Sequence, residues 1–152
     1  MGYVSDMRKK IGHDPLLIVG ASVIVVNERG QVLLQRRADN GLWGYHGGCI
    51  ELNERTEDAA RRELLEETGL TAGKMTLLGV FSGPEMAYTY PNGDAASIVD
   101  IVYVCRDFSG ELRPQAEEVT ALKWFDPQDV PGEITPANRA ALRAWRQNSL
   151  VD

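Results

Sequence analysis

The sequence has few cysteines. Only Cys49 and Cys105 occur among its 152 residues, and they do not form the C-x-x-C pattern of zinc knuckles and redox motifs. Small secreted domains usually depend on several disulfides. The count therefore argues against a secreted disulfide framework and against a structural zinc site. We expect a protein of the reducing cytoplasm.

A long hydrophobic run is also missing. The longest uncharged apolar stretch runs from Pro15 to Val26, whereas a membrane-spanning helix needs about 20 such residues. The basic residues at 8–10, followed by this stretch, superficially resemble a signal peptide. However, His13 and Asp14 intervene and the apolar pattern continues to Val26. We interpret the stretch as a core strand and expect no membrane association.

Positive charge is in the minority. The chain holds 16 Lys and Arg against 22 Asp and Glu, a formal net charge of −6. Nucleic-acid binding depends mainly on neutralising phosphates with a basic surface, so a long nucleic acid is not an expected partner. Seven of the acids and three arginines lie within residues 51–67. A small phosphorylated ligand bound through divalent cations is compatible with this pattern.

The length and hydrophobic pattern predict a single α/β domain over residues 1–152. The composition, 43% hydrophobic and 25% charged, is ordinary for a globular protein. The predicted strands are residues 16–26, 31–37, 75–81, 96–106 and 121–125. The predicted helices are residues 3–11, 57–68 and 135–145. The first two strands, joined by a turn at 27–30, are expected to form a hairpin, and the whole pattern indicates a mixed sheet between helices.

The second predicted helix has capping signals at both ends. Thr56 is the expected N-cap, and Gly69 follows the last turn at the C-cap position. The preceding segment, residues 38–50, is rich in glycine. Glycine permits backbone conformations that other residues avoid, so we predict a loop of the kind that lines a site.

Three carboxylates share one face of this helix. Glu63, Glu66 and Glu67 stand at positions i, i+3 and i+4, which lie close together on a helix. Like charges at this spacing repel each other, and a divalent cation such as Mg²⁺ or Mn²⁺ would remove the conflict by accepting their oxygens as ligands. The alternative is a solvated acidic face, which is the favoured interpretation for an arbitrary acidic helix.

The residues around these glutamates decide between the two interpretations. Gly48 is followed after five residues by Glu54, and after seven more by the run R-E-L-L-E-E-T-G-L from Arg62 to Leu70. This resembles the Nudix hydrolase signature G-x5-E-x7-R-E-U-x-E-E-x-G-U, with U aliphatic, at every specified position. Seven fixed matches arise by chance on the order of 10⁻⁹ per starting point when each type is used at roughly 6%. We therefore prefer the metal site.

The resemblance implies a Nudix-type α/β/α sandwich and a Mg²⁺-dependent nucleotide pyrophosphohydrolase, with Mn²⁺ as an alternative cofactor. The implied reaction cleaves a phosphoanhydride in a nucleoside diphosphate linked to another group, through metal-activated water. The implied metal ligands are Glu63, Glu66, Glu67 and the Gly48 carbonyl. The implied general base is Glu66 or Glu63. Arg62 keeps its charge and forms two-pronged bonds to carboxylates, so it is expected to orient a glutamate.

Further candidates lie outside the signature. Glu117 and Glu118 precede the last predicted strand and are candidates for an additional base or metal ligand, with a solvated pair as the equal alternative. The candidate substrate-binding residues are Arg36, Arg37, Trp43, His46 and Tyr88. One arginine would meet phosphate while the other faces solvent. The aromatic rings would either stack on a base or pack at the rim of the fold.

Two positions depart from the usual Nudix loop. His46 stands where Pro commonly precedes the two glycines, and it either contacts phosphate or simply occupies the loop. Asn53 replaces a common Gly. Because Asn is the other residue that best accepts a left-handed backbone, the turn is expected to persist. Asp100 interrupts an apolar run, and it either faces the site or satisfies a local backbone donor.

A binding module is the alternative to an enzyme. A Nudix-like sensor would recognise a nucleotide without hydrolysing it, and the fold alone does not separate the two functions. The intact Arg62-Glu63 and Glu66-Glu67 pairs favour the hydrolase. A small nucleotide or nucleoside-diphosphate-linked compound is the expected substrate, and a homodimer stays an open alternative.

Overall fold

A computed structural model describes residues 2–151. Within them the α-helices are α1 (Tyr3–Ile11), α2 (Thr56–Thr68) and α3 (Arg139–Val151). The strands are β1 (Leu16–Val25), β2 (Val32–Arg37), β3 (Trp43–Gly44), β4 (His46–Cys49), β5 (Thr71–Ala72), β6 (Met75–Phe81), β7 (Ala87–Thr89), β8 (Ala95–Cys105), β9 (Phe108–Ser109) and β10 (Val119–Phe125). None of the helices in this range is long and apolar enough to cross a bilayer.

The largest sheet within the described residues has β4, β1, β8 and β6 in that order, with β7 also paired to β8. β1 and β8 run parallel, from the Leu16–Ala96 pair to the Val25–Cys105 pair. The other pairs in this sheet are antiparallel. A second sheet has the order β10, β2, β3, and β5 pairs with β9. The predicted α/β class with a mixed central sheet is confirmed.

Side chains of β1 alternate between two faces, and a different helix covers each face. Val23 and Val25 pack against α2, whose Leu64 is fully buried. Ile24 packs in a second cluster with Trp145 of α3. Burying one large apolar side chain stabilises a fold by roughly 1.5–3 kcal/mol. Because both clusters include side chains of β1, this strand fixes α2 and α3 on opposite sides of the sheet, which is the predicted sandwich.

The first two strands do not form the predicted hairpin. The turn between them is present, because the Asn27 side chain accepts hydrogen bonds from the backbone N–H groups of Arg29 and Gln31. In the described structure, however, a single bridge between Val26 and Val32 is what joins them. Both edges of β1 are already occupied, one by β4 and the other by β8. Consequently β2 has no free edge to pair with, and it enters the second sheet instead.

The glycine-rich segment 38–50 is not simply a loop, because it contains β3 and β4. Gly47 of β4 pairs with Ser22 of β1. A Cβ atom on Gly47 would overlap the Ser22 side chain, and a Cβ atom on Gly48 would overlap the Glu63 carboxylate. Glycine at these two positions therefore allows β1, β4 and α2 to approach closely.

The two ends of α2 differ in how well they were predicted. Gly69 follows the helix with a φ of 81° and its N–H caps the last turn, as expected. Thr56 is not the N-cap. It is the first helical residue after Arg55, and its hydroxyl lies 2.6 Å from the Tyr103 hydroxyl, so it is engaged across the fold and not at the helix end. Asn53 has a φ of 63°, the predicted left-handed backbone.

Candidate active site

The three glutamates of α2 differ in their exposure. The Glu63 side chain is 17% exposed and Glu67 is partly buried, whereas the Glu66 side chain is 52% exposed. Glu63 and Glu67 both contact the glycines of β4. The helical spacing brings all three carboxylates to neighbouring positions, and the packing of α2 on β4 directs two of them inward.

Glu67 is held by two neutral hydrogen-bond donors. The Gly47 backbone N–H donates to Oε2 over 2.9 Å, and the Gln35 amide donates to Oε1 over 2.8 Å. Burial, together with the like charges of Glu63 and Glu118, raises the pKa of Glu67 to about 8, against the opposing effect of the two hydrogen bonds. A positive charge bound beside this carboxylate would favour its ionised form.

Arg62 connects the loop before α2 to the helix. Its Nε and Nη2 donate to the two carboxylate oxygens of Glu54 over 2.8 and 2.9 Å. Its Nη1 donates to Glu63 over 2.8 Å, and Nη2 also donates to the Cys49 carbonyl over 3.2 Å. The guanidinium holds the pKa of Glu54 below its usual range, whereas burial raises the pKa of Glu63 despite the ion pair. Arg62 therefore orients both carboxylates.

The donor chemistry of this site suits a divalent cation. Carboxylates and backbone carbonyls are the hard oxygen ligands that Mg²⁺ and Mn²⁺ take. Burial raises the pKa of both Glu63 and Glu67, which indicates that they lack sufficient compensating positive charge. In residues 2–151 no three His, Cys, Asp or Glu side chains yet converge as a preformed cage. The oxygen ligands present thus fit a divalent cation in their chemistry, and the glutamate side chains would have to rotate to surround it.

Glu117 and Glu118 line the same cavity as Glu67. This cavity has a volume of about 290 Å³, and Arg37 also lines it. The backbone N–H of Ala38 donates to the Glu118 carbonyl over 2.9 Å, which attaches the segment before β10 to the end of β2. The fold therefore brings two acids that are far away in the sequence to the side of the α2 glutamates.

The two arginines of β2 point in different directions. Arg37 lines the cavity beside Glu67 and forms a two-pronged ion pair with Asp39 over 2.9 and 2.7 Å. Arg36 is exposed, and its Nε donates to the Gly41 carbonyl over 3.1 Å. Adjacent residues of a strand face opposite sides, so of these two only Arg37 lies at the site.

A second pocket adjoins the glutamate site. It has a volume of about 140 Å³, and its wall includes Gly48, Arg37, Tyr88 and Tyr90. The rings of Tyr88 and Tyr90 meet edge to face with their centroids 4.8 Å apart. Because Gly48 and Arg37 border both the glutamates and this pocket, a ligand can extend from one to the other.

Asp100 lies in the wall of the second pocket and is 5% exposed. It accepts hydrogen bonds from the hydroxyls of Ser22 and Tyr45, each over 2.7 Å. Burial raises the pKa of Asp100, while these two hydrogen bonds lower it. Of the two interpretations from sequence, Asp100 faces the pocket, and its donors are side chains distant in the sequence and not a local backbone group.

Comparison with known families identifies the domain. A family model described as "NUDIX domain" matches residues 16–145. The chain belongs to the NUDIX family. The predicted resemblance is therefore confirmed over most of the sequence.

Individual NUDIX relatives agree with this assignment. A "MutT-like protein" of Streptomyces ambofaciens is 36% identical over 116 residues, covering 76% of this chain and 68% of that protein. A "Putative 8-oxo-dGTP diphosphatase" of Bacillus subtilis is 31% identical over 130 residues, covering 86% and 80%. The crystal structure of a MutT NUDIX hydrolase from Burkholderia pseudomallei matches with a TM-score of 0.72 and 34% identity, over 85% of this chain and 98% of that one.

Two candidate substrate-binding residues of this NUDIX domain make contacts inside the fold. Trp43 packs edge to face on Phe125, with ring centroids 5.1 Å apart, beside the core cluster that includes α3. His46 is fully buried, with Nδ1 2.7 Å from Gln35 Oε1 and Nε2 3.2 Å from the Leu33 carbonyl. Burial lowers the pKa of His46 to about 4. Of its two alternatives, His46 therefore occupies the fold and contacts no phosphate, whereas the substrate role of Trp43 stays a prediction.

Sequence analysis missed two residues of the NUDIX site. Gln35 binds Glu67, and Asn138 lines the second pocket and accepts a hydrogen bond from the Tyr45 backbone N–H over 3.1 Å. Alternation along β2 could have identified Gln35, since it shares a face with Arg37 two residues later. No local pattern could have identified Asn138, because its partner Tyr45 lies 93 residues earlier.

Proposed function

We propose that this NUDIX domain hydrolyses a phosphoanhydride bond in a nucleoside diphosphate linked to another group, with Mg²⁺ as the cofactor and Mn²⁺ as the alternative. One observation carries the proposal. Glu67 is a partly buried carboxylate held by neutral donors beside two further glutamates. A divalent cation bound beside such a carboxylate would favour its ionised form, because it would supply the positive charge that the neutral donors lack.

We assign Glu63, Glu66, Glu67 and the Gly48 carbonyl as the cation ligands. The chemistry supplied by a bound divalent cation is neutralisation of the diphosphate charge and a lower pKa of the attacking water. Arg62 holds Glu63 in place through its 2.8 Å contact and leaves Glu67 free for the cation. Glu63 and Glu67 approach the β4 backbone from α2, which supports a shared cation position near Gly48.

Glu66 is the better candidate for the general base. Its nearest contact with Arg62 is 3.7 Å and its side chain is half exposed, whereas Glu63 is held at 2.8 Å. The Glu63 oxygen that accepts from the guanidinium is already occupied, whereas the exposed Glu66 carboxylate is open to an attacking water. Glu118 is proposed as an additional ligand or base, together with Glu117, because both line the cavity beside Glu67.

The substrate would extend from the glutamates into the second pocket. Arg37 is proposed to bind a phosphate, since a guanidinium is well suited to two-pronged phosphate binding. Tyr88 is proposed to contact the nucleobase of the substrate, because aromatic rings stack on nucleobases. The name of the Bacillus subtilis relative, an 8-oxo-dGTP diphosphatase, makes nucleoside triphosphates and their oxidised purine forms the first substrates to assay.

The compartment, domain organisation and oligomeric state stay predictions. Cys49 and Cys105 are both free thiols in the structure, which supports a reducing cytoplasm. We retain one domain over residues 1–152. A homodimer remains open, and size-exclusion chromatography coupled to light scattering would decide it.

The proposed activity is tested by a hydrolysis screen. Purified protein is incubated with nucleoside triphosphates, ADP-ribose, nucleotide sugars and dinucleoside polyphosphates, with and without Mg²⁺. We expect cation-dependent turnover of at least one class, lost in Glu66→Gln. Glu57→Gln is the matched control, because that side chain lies on the same helix and is 59% exposed. Nucleotide binding without turnover across the panel would instead favour a sensor module.

A further inference from the structure

Gln35 and His46 form an internal chain of polar contacts that ends at Glu67. The Leu33 carbonyl lies 3.2 Å from His46 Nε2, and His46 Nδ1 lies 2.7 Å from Gln35 Oε1. The Gln35 amide nitrogen then donates to Glu67 Oε1 over 2.8 Å. His46 is fully buried, and Gln35 is 7% exposed at the wall of the cavity beside Glu67. Buried polar groups are stabilised by such hydrogen-bond partners.

From this chain we propose that Gln35 positions the Glu67 carboxylate for a divalent cation and that His46 holds the Gln35 amide in the orientation this requires. Gln35 and His46 are positioning residues, because Gln35 acts through its hydrogen bond to Glu67 and His46, which is fully buried, acts through Gln35. The inference rests on the proposed function in one respect, namely that Glu67 is a cation ligand.

The orientation of the Gln35 amide is what His46 controls. An amide has a donor end and an acceptor end, and only the donor end stabilises a carboxylate. If the amide rotated by half a turn, its oxygen would face Glu67 and repel it. The neutral His46 ring carries a single proton; with that proton on Nδ1 it donates to Gln35 Oε1 and thereby directs the amide N–H groups to Glu67. The contact of Nε2 with the Leu33 carbonyl is then a packing contact and not a hydrogen bond.

The neutrality of these donors matters for cation binding. Each Glu67 oxygen receives one N–H, from Gln35 and from Gly47, and each keeps lone-pair capacity for another partner. Neither donor brings a positive charge, so neither takes the place of a cation as the positive partner of this carboxylate. Glu54 is the opposite case, because the Arg62 guanidinium occupies both of its oxygens.

The test compares variants of Gln35 with a distant glutamine. Gln35→Met keeps the length of the side chain but removes the donor, and Gln128→Leu is the control because Gln128 is exposed in the 3-10 turn Pro127–Asp129. Mn²⁺ binding is measured by isothermal titration calorimetry without nucleotide. We expect Gln35→Met to raise the Mn²⁺ Kd roughly 10–100-fold, the usual effect of losing a partner of a metal ligand, and Gln128→Leu to leave it unchanged.

A second readout separates positioning from general damage. In Gln35→Met we expect the Mg²⁺ concentration needed for half-maximal turnover to rise by a similar factor, while the nucleotide KM at saturating Mg²⁺ stays within about threefold. His46→Gln, which keeps a donor for Gln35, should stay close to the original protein, and His46→Leu should weaken Mn²⁺ binding. If Gln35→Met fails to fold, the difference in Mn²⁺ affinity between these two His46 variants tests the positioning role.

The outcomes distinguish this inference from the proposed function. A folded Gln35→Met, or a His46→Leu, that binds Mn²⁺ as tightly as the original protein overturns the positioning role. Cation binding that depends on Gln35, in a protein that hydrolyses nothing in the substrate panel, supports the positioning role and contradicts the hydrolase. An original protein that binds no Mn²⁺ at all overturns both.

Discussion

Arg62 and Glu54 form a two-pronged ion pair, with contacts of 2.8 and 2.9 Å between the guanidinium and the two carboxylate oxygens. The pair joins the loop before α2 to the middle of the helix. The same guanidinium donates to Glu63 over 2.8 Å. The position of Glu63 therefore depends on a residue that contributes charge and geometry, and whose own proton is never released.

Arg62→Lys is expected to lower kcat by about tenfold or more, comparable to losing an outer partner of a metal ligand. A lysine ammonium is a point charge and cannot hold Glu54 and Glu63 in the same fixed geometry. Steady-state kinetics of Arg62→Lys, Glu54→Gln and the double variant would measure the coupling free energy between Arg62 and Glu54. We expect a coupling free energy within the roughly 0.5–3 kcal/mol found for contacting residues. Additive effects of the two substitutions would contradict the proposed link.

Glu67→Gln is expected to abolish turnover while leaving the fold intact. The amide keeps the shape of the side chain but removes the negative charge, and we expect kcat to fall by roughly 100-fold or more, since even an outer partner costs 10–100-fold. Circular dichroism and thermal unfolding check that the protein is folded. Retained turnover in a folded Glu67→Gln protein would refute its assignment as a cation ligand.

The metal-free protein is expected to lose stability as the pH rises from about 6.5 to about 8. Below 6.5 the buried His46, whose pKa burial lowers to about 4, has the opposite effect, because its unfolded form takes up a proton there. Burial raises the pKa of Glu67 to about 8, above the value of about 4.3 in an unfolded chain. The folded state therefore holds an extra proton in this window, so the stabilisation is complete below the unfolded pKa and is lost as the pH passes the folded pKa.

Thermal unfolding in chelator between about pH 6.5 and 8.5 measures this dependence. Glu67→Gln should flatten the curve, because the amide does not titrate. Added Mg²⁺ should restore stability at the upper end, since cation binding favours the ionised carboxylate. A Tm of the original protein that increases across this window would be inconsistent with a buried, protonated Glu67.

Arg37→Ala is expected to raise the nucleotide KM by about tenfold. A hydrogen bond to a charged group contributes about 1.5–3 kcal/mol, and Arg37 lines both the cavity beside Glu67 and the second pocket. Arg36→Ala is the matched control, because Arg36 points to the Gly41 carbonyl. The nucleotide KM of the two variants is measured by steady-state kinetics. Equal KM values for both would contradict the assignment of Arg37 as a phosphate-binding residue.

Local patterns in the sequence accounted for the parts of the fold that are determined within one element. The helix with Glu63, Glu66 and Glu67 on neighbouring positions, the capping Gly69 and the left-handed Asn53 were all predicted, since each depends on residues a few positions apart. The predicted hairpin of β1 and β2 was wrong, because strand pairing depends on which edges other strands already occupy.

The sequence by itself determined the family, the class of fold and the set of acids proposed to bind the cation, because the spacing of the Nudix signature is a local property of the chain. The tertiary structure alone decided which side chains contact those acids and which candidate residues lie away from them. It buried His46, turned Arg36 away, and placed Gln35 against Glu67, which lies 32 residues later. These contacts arise because β2 and β4 pack beside α2. The periodic pattern of one segment shows which of its residues share a face, but not which residue of another segment that face will contact.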